Sequence, residues 1–285
     1  MKKSFLKRHL ADKLTPEELE KVSKSFDVVG DIAILRVPPA LESRKELIAE
    51  AVMASNTNVK TVLQQQSPVG GVFRLRNLEH IVGERTTETL YREYSCVFKV
   101  DLADAYFSPR LSFERMRVGT LVGRGETVVN MFAGIGCFSI IIAKHSPARR
   151  VYSIDLNPAA VQLMRENITL NRLRRRVEAI CGDAREVVAE QFLNAVDRVL
   201  MPLPEKAYEY LDIAVKALQE SRGVVHYYDF IHAGRGESPI DKGVDKVDKK
   251  LGELGVEYVV TASRIVRMVG PRWYQIALDL HVRPS

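Results

Sequence analysis

The stretch Val128–Ile140, VVNMFAGIGCFSI, decides how the rest of the chain is read. Thr127-Val128-Val129-Asn130-Met131 has the length and apolar character of a buried strand. Ala133-Gly134-Ile135-Gly136 is a turn whose missing side chains let a ligand approach the backbone. Cys137–His145 continues as an apolar helix, and its first N–H groups point at whatever fills the turn. The unit alone is ambiguous, because strand, glycine turn and helix recur in dehydrogenases, nucleotidases and methyltransferases. It does not satisfy the GxGxxG dinucleotide pattern, since Ser139 stands where the last glycine belongs.

Working outward narrows the choice. Arg149–Ile154 reads as a second strand and ends in Asp155-Leu156-Asn157-Pro158. A carboxylate at that strand tip can hold both hydroxyls of a ribose. Pro158 opens a helix over Ala159–Asn171, near its favoured first-turn position. A third strand, Val177–Cys181, ends in Gly182-Asp183-Ala184 and puts another acid on the same sheet edge. Asp183 also reads as a plain helix N-cap, and a cap can still bind a ligand. A helix over Arg185–Asn194 and a strand over Asp197–Met201 follow, with Pro202-Leu203-Pro204 just beyond. The prolines make a rigid bend without N–H donors; it is either a plain turn or the place where doubly wound enzymes set groups against substrate. Ala207–Leu218 reads as helix, Gly223–Phe230 as the fifth strand, Ile231–Pro239 as a loop and Val244–Leu254 as helix. Tyr258–Val269 and Trp273–Val282, separated by Gly270-Pro271-Arg272, must pair antiparallel. A parallel sheet closed by such a pair is the plan of the class I (Rossmann-like) methyltransferase domain. With the glycine turn and the acidic strand tips, it points to S-adenosylmethionine over NAD.

The first part of the chain lacks a nucleotide turn and reads as a separate small α+β domain. Lys3–Ala11 is a candidate basic helix, and Thr15-Pro16-Glu17-Glu18 is a helix start. Phe26–Val37 reads as a hairpin around Gly30-Asp31, and Leu41–Ser55 as an amphipathic helix. Val59–Gln64 reads as a strand, Phe73–Leu78 and His80–Val82 as a further pair, and Glu88–Val100 as one long alternating strand. In that strand Leu90, Arg92, Tyr94 and Cys96 share one face, and Tyr91, Glu93, Ser95 and Val97 the other. Arg74, Arg76, Arg85, Arg92 and Lys99 would give this domain a basic face suited to RNA, or only a solvated one. Pro109 breaks the pattern, Ser112–Val122 reads as a helix, and the domain junction is expected between residues 1–105 and 106–285.

At 285 residues and 46% hydrophobic the chain can bury a large core, and its net charge of +6 favours an anionic partner. Cys96, Cys137 and Cys181 lie far apart without CxxC, as buried thiols in a reducing compartment do. No run approaches a membrane span, Met1-Lys2-Lys3 does not open a signal peptide, and a cytoplasmic protein is expected. The histidines show no metal-ligand spacing, so no metal is expected.

The segments ETLYRE (Glu88–Glu93), YFSPRLSFERMR (Tyr106–Arg117), MFAGIGCFSI (Met131–Ile140), YSIDLNP (Tyr152–Pro158), GDAR (Gly182–Arg185), MPLPEKA (Met201–Ala207) and VHYY (Val225–Tyr228) together resemble one family. It is the archaeal and eukaryotic tRNA (guanine-N1)-methyltransferases that modify the purine 3′ of the anticodon. The resemblance implies S-adenosylmethionine as cofactor, tRNA as partner and a monomer. It implies Glu93 as general base. Its implied cofactor contacts are Arg115, Phe132, Gly134, Gly136 and Pro202, with Asp155 and Leu156 at the ribose and Asp183 and Ala184 at the adenine edge. Arg92, Ser108, Pro109, Arg110, Leu203 and Pro204 are the implied substrate contacts. The chain departs at Pro202, where the family commonly has the asparagine of an NLP triplet; proline keeps the carbonyl but loses the amide side chain. Larger archaeal relatives carry an extra N-terminal domain at the outer corner of the tRNA, and the form lacking it is expected here. Other activities compete: a wyosine-pathway reaction at the same tRNA position (methylation of the tricyclic base or aminocarboxypropyl transfer), and a non-catalytic tRNA-binding module.

Overall fold

The computed structural model describes residues 6, 8–23 and 25–283, so the expected helix over 3–11 lies partly outside the described residues. The chain forms two compact units, residues 1–110 and 111–285. Among the described residues no helix is long and apolar enough to cross a membrane.

In the first unit Thr15 caps α1 (Pro16–Lys21) through a reciprocal capping box with Glu18. The strands β1 (Asp27–Val29), β2 (Ile32–Leu35), β3 (Thr61–Gln65) and β4 (Leu78–Gly83) lie side by side in that order. β1 and β4 run antiparallel to their neighbours, while β2 and β3 are parallel. The parallel crossover runs through a 3₁₀ turn, Pro39–Arg44, and then α2 (Lys45–Ser55), not through one continuous helix from Leu41. Leu35, Leu41, Ile48, Val52 and Val62 build the core beneath it.

Two expected strands are corrected. Residues 71–74 form a turn, with Gly71 at φ +73° and Arg74 at φ +56°, closed by an isolated bridge between Gly70 and Leu75, so Phe73–Leu78 is not a strand and the ladder with β3 begins at Leu78. The stretch read as one strand over Glu88–Val100 is a hairpin of β5 (Glu88–Glu93) and β6 (Cys96–Asp101). Tyr94 at φ +45° and Ser95 at φ +57° make a left-handed turn of the kind that suits a tight hairpin. The reversal changes which side chains share a face. Glu93 pairs with Cys96, Tyr91 with Phe98 and Thr89 with Val100, so Cys96 sides with Glu93 and not with Leu90 and Arg92. Thr89, Glu93, Cys96, Phe98 and Val100 are buried, whereas Leu90 and Arg92 are exposed. The expected basic residues do not form one sheet face either: Arg74 stacks 4.2 Å from the Tyr106 ring, and Lys99 lies 3.4 Å from Glu88.

The second unit opens with α3 (Ser112–Leu121). Then β7 (Thr127–Asn130), α4 (Cys137–His145), β8 (Arg150–Asp155), α5 (Pro158–Leu170), β9 (Val177–Cys181), α6 (Ala184–Gln191), β10 (Arg198–Met201), α7 (Ala207–Ala217) and β11 (Gly223–His232) alternate. Local chemistry sets the helix starts: Asn157 caps α5 and Pro158 occupies its first turn, and Asp183 caps α6. The last helix, α8 (Pro239–Glu253), begins earlier than expected because Ser238 caps it and Pro239 opens it. β12 (Glu257–Gly270) and β13 (Trp273–Arg283) complete a seven-stranded sheet of order β12-β13-β11-β10-β7-β8-β9. β13 runs antiparallel to both neighbours, and every other pairing is parallel.

A buried polar chain braces this sheet beneath α3. Glu126 accepts from Arg198 at 2.6 Å, and Arg198 Nη1 lies 2.7 Å from His226 Nε2. His226 Nδ1 lies 2.6 Å from Asp279 Oδ1, which also accepts from Arg117 Nη2 at 3.1 Å. Arg117 continues to Glu114 at 2.7 Å, and Glu114 accepts from the Tyr228 hydroxyl at 2.8 Å. A guanidinium only donates, so Nε2 of His226 is the acceptor and Nδ1 carries the proton. Burial holds this imidazole below its ordinary pKa despite Asp279 beside it, which makes His226 a neutral strut.

Candidate active site

The site is built where the parallel strands end. Gly134 at φ +55° and Gly136 at φ +90° turn the chain from β7 into α4. A Cβ on Gly136 would lie 2.8 Å from Met164 Cγ, so this glycine is needed for close packing of the turn on α5 as well as for its backbone angle. Asp155 pins the turn from the tip of β8. Its Oδ2 accepts from the Gly134 N–H at 2.6 Å and its Oδ1 from the Asn157 N–H at 2.9 Å. Burial raises the Asp155 pKa, and these N–H groups oppose the rise without cancelling it. A carboxylate offers about four lone-pair sites, so acceptor capacity remains for a pair of ribose hydroxyls. Leu156, next along the chain, leaves 45% of its surface exposed.

Asp183 is a helix cap and more. Its Oδ1 accepts from the Arg185 N–H at 2.7 Å, and its Oδ2 accepts from the Tyr210 hydroxyl at 2.7 Å. Burial and the Asp183 carboxylate push the Tyr210 phenol up to about 12, so it stays a donor. The Tyr210 ring meets Phe132 edge-on with centroids 5.3 Å apart, and the Arg185 guanidinium lies 5.1 Å from the Tyr210 ring centroid while forking onto Asp212 at 2.8 and 2.9 Å. The sequence signal for Tyr210 is only the aromatic-rich start of α7, Ala207-Tyr208-Glu209-Tyr210. Ala184 is buried at the first position of α6.

The structure thus brings Phe132, Gly134, Gly136, Asp155, Leu156, Asp183 and Ala184 to one edge of the second unit, and β8 and β9 are tied there by Gly182 N–H to Asp155 O at 3.1 Å. Pro202 and Leu203 are half-buried just past β10, Pro204 is buried, and the Leu203 carbonyl accepts from Ala207 N–H at 2.9 Å to start α7. Arg115 is buried within α3. Glu93, Arg92, Ser108, Pro109 and Arg110 belong to the first unit. There Glu93 and Ser108 are buried, Arg92 lines a cleft of about 680 Å³ with Asp31 and Leu90, and exposed Arg110 pairs with Asp27 at 2.9 Å.

A sheet of this order with a reversed penultimate strand, a glycine turn and an acid at the second strand tip defines a class I methyltransferase domain. Residues 89–259 match the family described as the TRM5/TYW2 methyltransferase domain, and the chain belongs to that family. The chain is 39% identical to tRNA (guanine(37)-N(1))-methyltransferase Trm5b of Pyrococcus abyssi over 94% of this chain and 78% of that one, and the crystal structure of that protein superposes with a TM-score of 0.84. It is 34% identical to tRNA 4-demethylwyosine(37)-methyltransferase Taw21 of Saccharolobus solfataricus, over 93% of this chain and 96% of that one. A Trm5 of Methanocaldococcus jannaschii solved in complex with adenosine has 33% identity and a TM-score of 0.80, over 98% of this chain and 79% of that one. The expected form without an extra N-terminal domain is overturned: residues 6–86 match the family described as the TYW2 N-terminal domain.

The donor set fits S-adenosylmethionine: a carboxylate with spare acceptor capacity for the ribose, the edge-on Phe132–Tyr210 pair as apolar surface for the base, and the exposed Leu156 beside the carboxylate. Asp155→Ala is expected to weaken S-adenosylmethionine binding by about 1.5–3 kcal/mol, the range for hydrogen bonds to a charged group. Calorimetry on the folded variant checks this, and unchanged affinity would remove Asp155 from the site.

Proposed function

We propose that this protein transfers a methyl group from S-adenosylmethionine to N1 of the guanosine 3′ of the anticodon, position 37 of tRNA, in the cytoplasm. The observation that carries this reading is the 39% identity to a tRNA (guanine(37)-N(1))-methyltransferase across 94% of the chain. The bound cofactor supplies an electrophilic methyl group on sulfur. Asp155 holds the ribose, the glycine turn lets the cofactor approach the backbone, and Phe132, Leu156 and Tyr210 exclude water from the adenine. Arg115 compensates negative charge on cofactor or RNA.

Guanine N1 carries a proton at neutral pH and is a poor nucleophile until that proton leaves. In this reading Glu93 would take that proton, leaving N1 with the electron pair needed to accept the methyl group that the bound cofactor would supply. Arg92, Ser108, Pro109, Arg110, Leu203 and Pro204 position the nucleotide. Pro202 offers only its carbonyl where the family's asparagine offers an amide.

A second reading has its own support: the chain covers 96% of the 4-demethylwyosine methyltransferase against 78% of the guanosine enzyme. Incubating the protein with labelled cofactor and unmodified tRNA transcript, then analysing nucleosides by mass spectrometry, separates the two. N1-methylguanosine at position 37 is the expected product. Product only from tRNA carrying 4-demethylwyosine would transfer the assignment to the second reading.

A further inference from the structure

The outer hairpin of the large sheet carries side chains that neither the cofactor site nor the proposed base uses. Trp273 opens β13, is 45% exposed, and lies in register with Gly270 of β12 and His232 at the end of β11. The indole and imidazole rings pack with centroids 5.4 Å apart. Directly paired residues of antiparallel strands share a face, and alternate residues return to it. Arg267, paired with Gln275, and Arg264, paired with Ala277, therefore stand on the Trp273 face. Arg264 lies 4.7 Å from the centroid of the Phe113 ring, which is 62% exposed on the first turn of α3, and 3.4 Å from the buried Glu114 carboxylate. A row of rings and guanidinium groups results, with Phe113, Trp273 and His232 exposed and Arg264 and Arg267 half-buried between them, Arg267 Nε donating to Gln275 Oε1 at 2.8 Å.

Two features say what this row fits. From Tyr258 to Leu278 the chain has arginines at 264, 267 and 272 and no aspartate or glutamate, so the hairpin is complementary to a polyanion. His232 ends a strand parallel to β10, so the row opens on the sheet edge that carries Asp155 and Pro202. Rings interleaved with arginines are how proteins hold unpaired nucleotides: bases stack on the rings, and guanidinium groups meet the phosphates.

We propose that Trp273 and His232 form a stacking platform for an unpaired base of the anticodon loop, with Arg267 and Arg272 meeting the flanking phosphates. The proposal rests on the tRNA reading above and adds a positioning surface to it. Trp273 is the only tryptophan in the chain, so indole emission reports on this platform alone.

The test titrates the full-length protein with a whole tRNA transcript, and with a transcript whose anticodon loop is closed into a continuous stem. The intact transcript is expected to quench the emission and shield the indole from acrylamide; the loopless one and S-adenosylmethionine are not. Trp273→Ala is expected to raise KM for tRNA by roughly tenfold, within the range of one base–aromatic stack. Its cofactor affinity should stay unchanged, and Trp273→Phe should restore most of the loss. If tRNA is bound and methylated while emission and acrylamide access stay the same, the platform is refuted and the tRNA reading stands. If wild-type protein neither binds nor methylates tRNA, that reading fails and the platform with it. Indole protection that rises with protein concentration in the absence of RNA, with dimers in sedimentation, would assign the face to a second copy and overturn the proposal.

Discussion

Glu93→Gln is expected to lower the single-turnover rate of guanosine methylation by roughly a hundredfold or more, the usual size of a general-base contribution. Glu93 closes β5 at the neck of a tight hairpin, paired with Cys96, and only 8% of its surface is exposed. Glutamine fills the same volume and keeps hydrogen-bonding capacity, so the hairpin survives and only basicity is lost. Cofactor and tRNA affinities should barely move, because the missing contribution belongs to the transition state. Pro202→Asn is a useful companion: restoring the family's usual residue can improve placement of the base but cannot replace a proton acceptor. A Glu93→Gln protein that methylates at a near-normal single-turnover rate would leave Glu93 as a structural residue of the hairpin, and another group would have to take the N1 proton.

The burial of Glu93 also marks where the sequence stopped being readable. A tight hairpin is announced by glycine or asparagine at its turn, and here Tyr94 and Ser95 take the left-handed angles instead. Glu93 and Cys96 share a face, so the turn shifts the alternation by one residue, and with no glycine or asparagine to mark it the shift passes unannounced in the sequence. Helix and strand limits in the second unit were more legible because their punctuation is local. Cys137–His145 and Val177–Cys181 have the spans expected of them, and the amide oxygen of Asn157 and the carboxylate of Asp183 cap the helices that follow. At the site, an acid at a strand tip is visible from spacing alone, which is why Asp155 could be read. Tyr210 could not, since α6, β10 and the connecting loops separate it from Asp183, 27 residues earlier. The outer platform was missed for a related reason: Trp273 and His232 become neighbours only through the antiparallel pairing of β11 with β13.

Asp279→Ala is expected to cost about 3–5 kcal/mol of stability, the cost of removing a partner from a buried ionic pair. Asp279 meets His226 and Arg117 from β13, 53 and 162 residues away in sequence, and so ties β11 and α3 to the reversed strand. Alanine would leave the Nδ1–H of His226 without its acceptor in a site that water does not reach, while Arg117 would keep only Glu114. The pH dependence follows from the same contacts. Burial pushes the Asp279 carboxyl upward, but the bonds from His226 and Arg117 outweigh it and hold it well below the usual carboxylate range. A carboxylate depressed in the folded state contributes stability that is present above its unfolded pKa of about 3.9 and is lost as pH falls below it. His226 adds to the acid loss, because its folded pKa is lowered: below its unfolded value of about 6.5 the unfolded chain takes up a proton that the folded one refuses. Wild-type stability should therefore decline as pH drops below about 6.5 and more steeply below about 3.9, whereas Asp279→Ala should start lower and lack the second decline from this carboxylate. Urea unfolding across that pH range measures both. A variant within about 1 kcal/mol of wild type near pH 7 would show that Glu114 and Arg117 hold the sheet without Asp279, and the brace would then be a consequence of the fold and not one of its supports.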